Sequence, residues 1–301
     1  MNRFRKEEIA AAAAGVIVPA TPFSWSVSRH LLFRKCLRAY FLHYYYAQGG
    51  WDPYADEMIR YAWNVKKSLS YDEWLEHHLE RILRESFDTI RMVPIQARLR
   101  MLGIRFLAKL SALEEAWEEE KRSMNFRFPK EQASRDLKSA LHDFLQSDSC
   151  NTLSSIQTIT LFHTAFKPSF SYYGMELWYN PGLIWREGQI LLSLRLHTAK
   201  PPEDFLQAEA DMFALSAKYL TGTTESVSPF RYPENGIWKE TQRIGDVKRG
   251  EERIRTDVSS MKSLIHEDSA AMTDFPKNEK HCLNCKFSGV CAAIMEQFGE
   301  I

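Results

Sequence analysis

Three of the five cysteines in this 301-residue chain fall within ten residues near the C-terminus. They stand in His281-Cys-Leu-Asn-Cys-Lys-Phe-Ser-Gly-Val-Cys291, so Cys282, Cys285 and Cys291 have the spacing C-x2-C-x5-C. A two-residue loop between two cysteines folds both sulfurs to the same side, and soft thiolates select zinc or iron-sulfur centres. Three thiolates are one short of a complete set of four. The adjacent His281 or the distant Cys36 would complete it, while Cys150, after the polar stretch 146–149, reads as a bystander. On spacing alone a structural zinc with His281 or Cys36 leads, and the scarcity of cysteine elsewhere points to a reducing compartment.

These cysteines depend on elements at the two ends of the chain to position them. Apolar and aromatic residues recur at three and four positions over 28–46 (Leu31, Leu32, Leu37, Tyr40, Phe41, Tyr44, Tyr45), which predicts an amphipathic helix ended by Gly49-Gly50. A second helix is expected over 53–67, and a third opens at Ser70-Tyr-Asp-Glu73, a capping-box pattern. Further helical patterns cover 94–121 and 129–146. The period then changes to two over 156–163, a strand signal, and 183–186 with 190–196 read as a hairpin across Glu187-Gly188-Gln189. Then follow a helix over 202–220, short strands near 230–232 and 236–244, a helix over 247–264 and the cysteine-rich tail. The class is α/β or α+β: a small mixed sheet flanked by helices, with a large N-terminal helical part, in one domain from 23 to 301 after an arm of 1–22.

Cys36 in an N-terminal helix (Ser26-Val-Ser-Arg-His-Leu-Leu-Phe-Arg-Lys-Cys36-Leu-Arg-Ala-Tyr-Phe), with a distant C-x2-C-x5-C, resembles the iron-sulfur branch of the PD-(D/E)XK nuclease superfamily. These are RecB-like nucleases, including the AddB type and the nucleases of CRISPR adaptation. The resemblance runs from about Pro22 to the end. It includes Trp74-Leu-Glu-His-His-Leu-Glu80, similar to the family's histidine-bearing helix, and Asp274-Phe-Pro276 leading into the knuckle; Leu37 departs from it, since a proline commonly follows the first cysteine. It implies a restriction-endonuclease-like core and a [4Fe-4S] cluster held by Cys36, Cys282, Cys285 and Cys291. A clip from Cys36 to Cys282 closes a loop of about 245 residues, for which the chain-entropy argument gives about 4 to 5 kcal/mol.

The resemblance also says which residues should cut. Family members hold Mg²⁺ or Mn²⁺ with an Asp on one strand and an Asp or Glu on the next, followed after one residue by Lys; hard cations take carboxylate oxygens and lower the pKa of a bound water. The matching positions here are Pro181-Gly182-Leu183 and Ser193-Leu194-Arg195, and both carboxylates are missing. Arg195 keeps the charge but exchanges no proton near neutral pH. The family's Gln-x3-Tyr falls at Glu209 and Phe213, and His77 or His78 is the better-kept remnant. A relocated site would use Glu176 as first carboxylate, Glu209 as second and Lys200 as the lysine, and would then need Mg²⁺ or Mn²⁺.

Composition bounds the functions. Thirty-nine basic against thirty-nine acidic side chains give zero formal charge, so no global basic field draws the chain to nucleic acid. The first fifty residues, however, hold seven Lys or Arg against two acidic residues, while Glu114, Glu115, Glu118, Glu119 and Glu120 form an acidic run. The longest apolar stretch, 9–20, has twelve residues, short of a membrane span, and Glu7, Glu8, Pro19 and Pro22 argue against a signal peptide. The expectation is a cytoplasmic, catalytically degenerate nuclease-like protein that binds DNA, including single strands, through Arg29, Arg34, Lys35, Arg38 and Arg195. For Tyr44, Tyr45 and Trp51 a packed core edge is the leading expectation, with stacking on unpaired bases as the alternative. A protein partner such as a helicase in repair, recombination or defence is expected. The alternatives are an active exonuclease with moved carboxylates and a purely protein-interacting subunit.

Overall fold

A computed structural model describes residues 23–90, 92–155, 169–266 and 279–297. The expected arm over 1–22, the alternating strand over 156–163 and the approach Asp274-Phe-Pro276 lie outside the described residues. In chain order the elements begin with β1 (Ser24–Ser26), α1 (Val27–Lys35), α2 (Leu37–Phe41), a π-helical turn (Leu42–Tyr46), α3 (Glu57–Lys67), α4 (Tyr71–Ile90) and α5 (Ile95–Glu115). Next come α6 (Trp117–Met124), α7 (Lys130–Leu145), α8 (Asp148–Ser155), β2 (Ser169–Tyr172), β3 (Met175–Trp178), β4 (Leu183–Glu187) and β5 (Ile190–Leu196). The chain continues through α9 (Glu203–Thr221), β6 (Ser226–Glu234), β7 (Ile237–Ile244), α10 (Val247–His266), α11 (Glu279–Cys282) and α12 (Ser288–Gln297). Helices with two small mixed sheets make this an α+β architecture.

The chain gathers into two compact units, each from discontinuous stretches: Met1–Ser68, Phe170–Trp178 and Glu252–Ile301 in the first, Leu69–Ser169 and Tyr179–Glu251 in the second. Each has an apolar core of its own.

In the first unit Phe41, Leu42, Ile59, Phe287, Val290 and Ile294 form the core. The helix expected over 28–46 is broken at Cys36, whose backbone is extended (φ −163°, ψ 117°). Both backbone groups of Cys36 stay paired across the break, because Cys36 N–H donates to Leu32 O and Tyr40 N–H donates to Cys36 O, each at 2.9 Å. Hydrophobic spacing continues across that residue, so periodicity does not register the break. Ser26 Oγ caps α1 by accepting from Arg29 N–H at 3.1 Å. A three-stranded sheet of order β1-β3-β2, with β1 parallel to β3, lacked any signal strong enough to anticipate it.

In the second unit α4 starts as expected: Ser70 N–H donates to Glu73 Oε2 at 2.8 Å and Glu73 N–H to Ser70 Oγ at 3.2 Å. Its apolar face, with Trp74, Leu79, Leu83 and Phe87, packs into one core with Phe106, Leu137 and Phe144 of the neighbouring helices and Leu183, Trp185, Leu192 and Leu194 of the sheet. That sheet has the order β4-β5-β6-β7. β4 and β5 are the expected hairpin, antiparallel with Leu183 opposite Leu194 and Ile184 opposite Ser193. α9 connects β5 to β6, and the two strands run parallel. β6 returns antiparallel as β7 through Asn235-Gly236, both at positive φ (54° and 77°), the backbone a tight primed turn requires.

Candidate functional site

Immediately before β4, the expected carboxylate position, Gly182 of Pro181-Gly182, is sterically shut. A Cβ built on Gly182 would stand 1.9 Å from Leu194 O and 3.0 Å from Arg195 Cδ, so no side chain fits where the chain passes against β5. Opposite Ile184, Ser193 is fully buried. Arg195, two residues on, points into the same interior: its Nε lies 2.8 Å from Glu80 Oε1, its Nη1 3.6 Å from Glu209 Oε2, and Nη1–H donates to Asn180 O at 2.5 Å.

α4 delivers Glu80, and Glu76 one turn earlier; α9 delivers Glu209, 5% exposed. Burial alone would lower the Arg195 pKa, but the charges of Glu80 and Glu209 outweigh it and hold the guanidinium more firmly protonated than usual. Burial raises the Glu80 carboxyl, with Arg195 and Arg84 opposing. Burial, then the Glu209 charge, sends the Tyr179 phenol well above its ordinary value, so it stays neutral. Glu76 is held below the ordinary value: burial pushes it up, yet His197 and the Thr198 N–H, which donates to Oε1 at 3.0 Å, outweigh that. The result is a guanidinium set among carboxylates. It exchanges no proton at neutral pH and fills the space between two acids that would otherwise face each other.

The sequence reading missed Glu76, Glu80, Tyr179 and His197. Two acids one turn apart on an otherwise core-facing helix were the available signal for the first two. Of its histidine remnants, His77 is exposed, whereas His78 is fully buried against Trp74, ring centroids 4.3 Å apart. Arg81 Nη2 donates to His78 Nδ1 at 2.9 Å, which fixes the proton on Nε2, 3.3 Å from Glu120 Oε2. Burial, then the Arg81 charge, lowers its pKa to about 3, so His78 is a neutral core residue. Phe213 is buried in α9. In the relocated set, Glu176 is exposed on β3 of the first unit, whereas Glu209 and Lys200 belong to the second, with Lys200 paired to Glu234 at 2.7 Å.

In the first unit the cysteines meet. Cys36, Cys282, Cys285 and Cys291 line one cavity of about 30 Å³ together with His281, Arg38 and Phe287, while Cys150 is buried in the second unit. Among the described residues no three His, Cys, Asp or Glu side chains are already arranged to hold a metal ion, although the four cysteines line one cavity. Burial raises the thiol pKa of Cys285 and of Cys291; Cys36 and Cys282 add to it in both, and Arg38, bonded to Cys291, counters it there. The donor set is chemically that of a thiolate-bound metal group.

The expected phosphate contacts separate into two kinds. Arg34 and Lys35 are exposed at the end of α1, next to Cys36, and Arg38 is half-buried beside Cys291. Arg29, in contrast, is a core residue. It is 5% exposed, and its guanidinium donates to Tyr40 Oη at 2.9 Å, Tyr45 Oη at 2.8 Å and Ser24 O at 2.9 Å, between the rings of Phe23 and Tyr44. Aromatics spaced to wrap one cation explain the correction, and they keep Tyr44 and Tyr45 half-buried, whereas Trp51 is 51% exposed. Arg195, with 18% of its side chain exposed and its guanidinium engaged by Glu80, Glu209 and Asn180 O, is likewise set apart from the phosphate-contact set.

No family model matches the sequence, and no curated protein matches it. Among the described residues no helix is long and apolar enough to cross a membrane.

Proposed function

We propose that this chain is a nuclease-like protein of the PD-(D/E)XK type that binds nucleic acid without cutting it, and that Cys36, Cys282, Cys285 and Cys291 hold a [4Fe-4S] cluster. The observation that carries the reading is Arg195: a guanidinium between Glu80 and Glu209, beside a Gly182 that admits no side chain. A cleaving site would need two carboxylates facing a divalent cation and its water, and here an internal cation stands among the acids. Support for the cluster is the shared cavity lined by four cysteines, Cys36 lying far in sequence from the other three. When bound, the cluster would supply a covalent tie between those two segments. Support for the nucleic-acid surface is the exposed pair Arg34 and Lys35 beside that cavity.

The test is binding of a labelled single-stranded oligonucleotide across salt concentrations, by fluorescence anisotropy. Replacing Arg34 and Lys35 by Ala together should weaken binding and flatten the slope of log K against log salt by about 1.4, two phosphate contacts on a single strand. Unchanged affinity and slope would reject this surface and favour a subunit that contacts only proteins.

A further inference from the structure

The second unit carries a polar cavity of about 570 Å³ that the nuclease-like reading does not use, walled by Asp143, Asp148, Arg231, Trp238, Glu240 and Gln242 among others. Its volume falls in the range of small-ligand sites. One wall is the junction of α7 and α8, the other the β6–β7 hairpin. Three carboxylates share it with one guanidinium. That guanidinium is already committed: Arg231 Nη2 lies 2.6 Å from Asp143 Oδ2 and Nη1 3.2 Å from Glu240 Oε2, with only 6% of the residue exposed. Ser149 Oγ donates to the other Glu240 oxygen at 2.7 Å.

An excess of negative charge therefore remains; the C-terminal pole of the sixteen-residue α7 and the N-terminal pole of α8 meet at this wall and offset one another. A phosphate or carboxylate ligand would meet repulsion. Trp238 supplies the other half of a cation site: it lines the cavity and is partly buried against the hydrophobic core, which restricts its side chain. Carboxylate plus indole is the pairing that takes a planar, weakly hydrated guanidinium in preference to a compact ammonium.

We propose that this cavity receives an arginine side chain of a protein partner, its guanidinium paired with Asp148 and Asp143 and stacked on Trp238. The inference does not depend on the nuclease-like reading, because no residue of that reading lines the cavity.

The probe is N-acetyl-arginine amide titrated into the full chain, read by NMR at the Trp238 indole N–H, assigned by its loss in Trp238→Leu. The indole signal should shift saturably. The neutral isostere N-acetyl-citrulline amide should need at least ten times the concentration for half the shift. Asp148 is exposed, so Asp148→Asn should fold with an unchanged melting temperature and raise the half-shift concentration about fivefold or more. Equal responses to the charged and neutral compounds would overturn the proposal. So would an Asp148→Asn response identical to wild type, or a shift with inorganic phosphate and none with the arginine compound.

Discussion

Arg195 Nε lies 2.8 Å from Glu80 Oε1, joining strand β5 to helix α4 in the interior of the second unit, 115 positions apart in sequence. Removing the cation leaves Glu80 and Glu209, whose side chains are 13% and 7% exposed, as uncompensated and largely desolvated acids. Arg195→Met should cost about 3–5 kcal/mol of stability by urea unfolding, the usual penalty for breaking a buried pair from one side. Arg195→Lys should cost less, keeping the charge and losing the fork. A loss for Arg195→Met under about 1 kcal/mol, the worth of an exposed pair, would show that the acids are not desolvated as described.

Gly182 gives a sharper steric forecast. Introducing a carboxylate with Gly182→Asp places a Cβ on top of Leu194 O, so the variant should lose about 2–3 kcal/mol or fail to accumulate as folded protein, and Mg²⁺ should not restore it. A variant that melts like wild type and gains stability with Mg²⁺ would mean that β4 and β5 can part to form a metal site.

How far the sequence reached depends on how far apart the interacting residues lie. The Ser70–Glu73 capping box, the β4–β5 hairpin around Gly188 and α9 up to Gly222 follow from local rules, and each stands within a residue or two of its expected place. The extended Cys36 did not, because one non-helical residue does not disturb the apolar spacing around it. Nor did α8, short and rich in Ser, nor the sheet of β1 with β3, whose strands are some 150 residues apart. At the candidate site, Gly182, Ser193, Arg195 and Glu209 were placed by the resemblance, but that Glu80 supplies the close partner of Arg195 follows only from tertiary packing. Arg29 was misread as a surface charge for the same reason: its aromatic cage is assembled by the fold.

His78 sets a pH dependence. Its pKa is near 3 in the folded chain and about 6.5 unfolded, so the native state resists protonation and the unfolded state accepts it. Its neutral form contributes fully above about pH 6.5, and that contribution is lost as pH falls from there toward 3, with a limiting slope of about 1.4 kcal/mol per unit. The stability gap between wild type and His78→Gln should therefore narrow between pH 6.5 and 4 in urea unfolding. A gap that widens on acidification would mean that His78 is protonated in the fold and held by Glu120.

Cys36→Ser removes the one proposed ligand outside the C-terminal knuckle. Anaerobically purified wild type should carry iron and sulfide with broad thiolate-to-iron absorption. The variant should lose most of both and melt several degrees lower, whereas Cys150→Ser should keep its iron. Zinc in place of iron in the wild type would replace the cluster by a mononuclear site, and full iron in Cys36→Ser would remove Cys36 from the ligand set.

The most direct test of the account is incubation of anaerobically purified protein with end-labelled single-stranded DNA across Mg²⁺ and Mn²⁺ concentrations, with a gel-shift assay on the same samples and Glu176→Ala alongside. The caged Arg195 and closed Gly182 predict bound, uncut DNA at every metal concentration. Metal-dependent cutting that disappears in Glu176→Ala would contradict the account and establish a relocated active site.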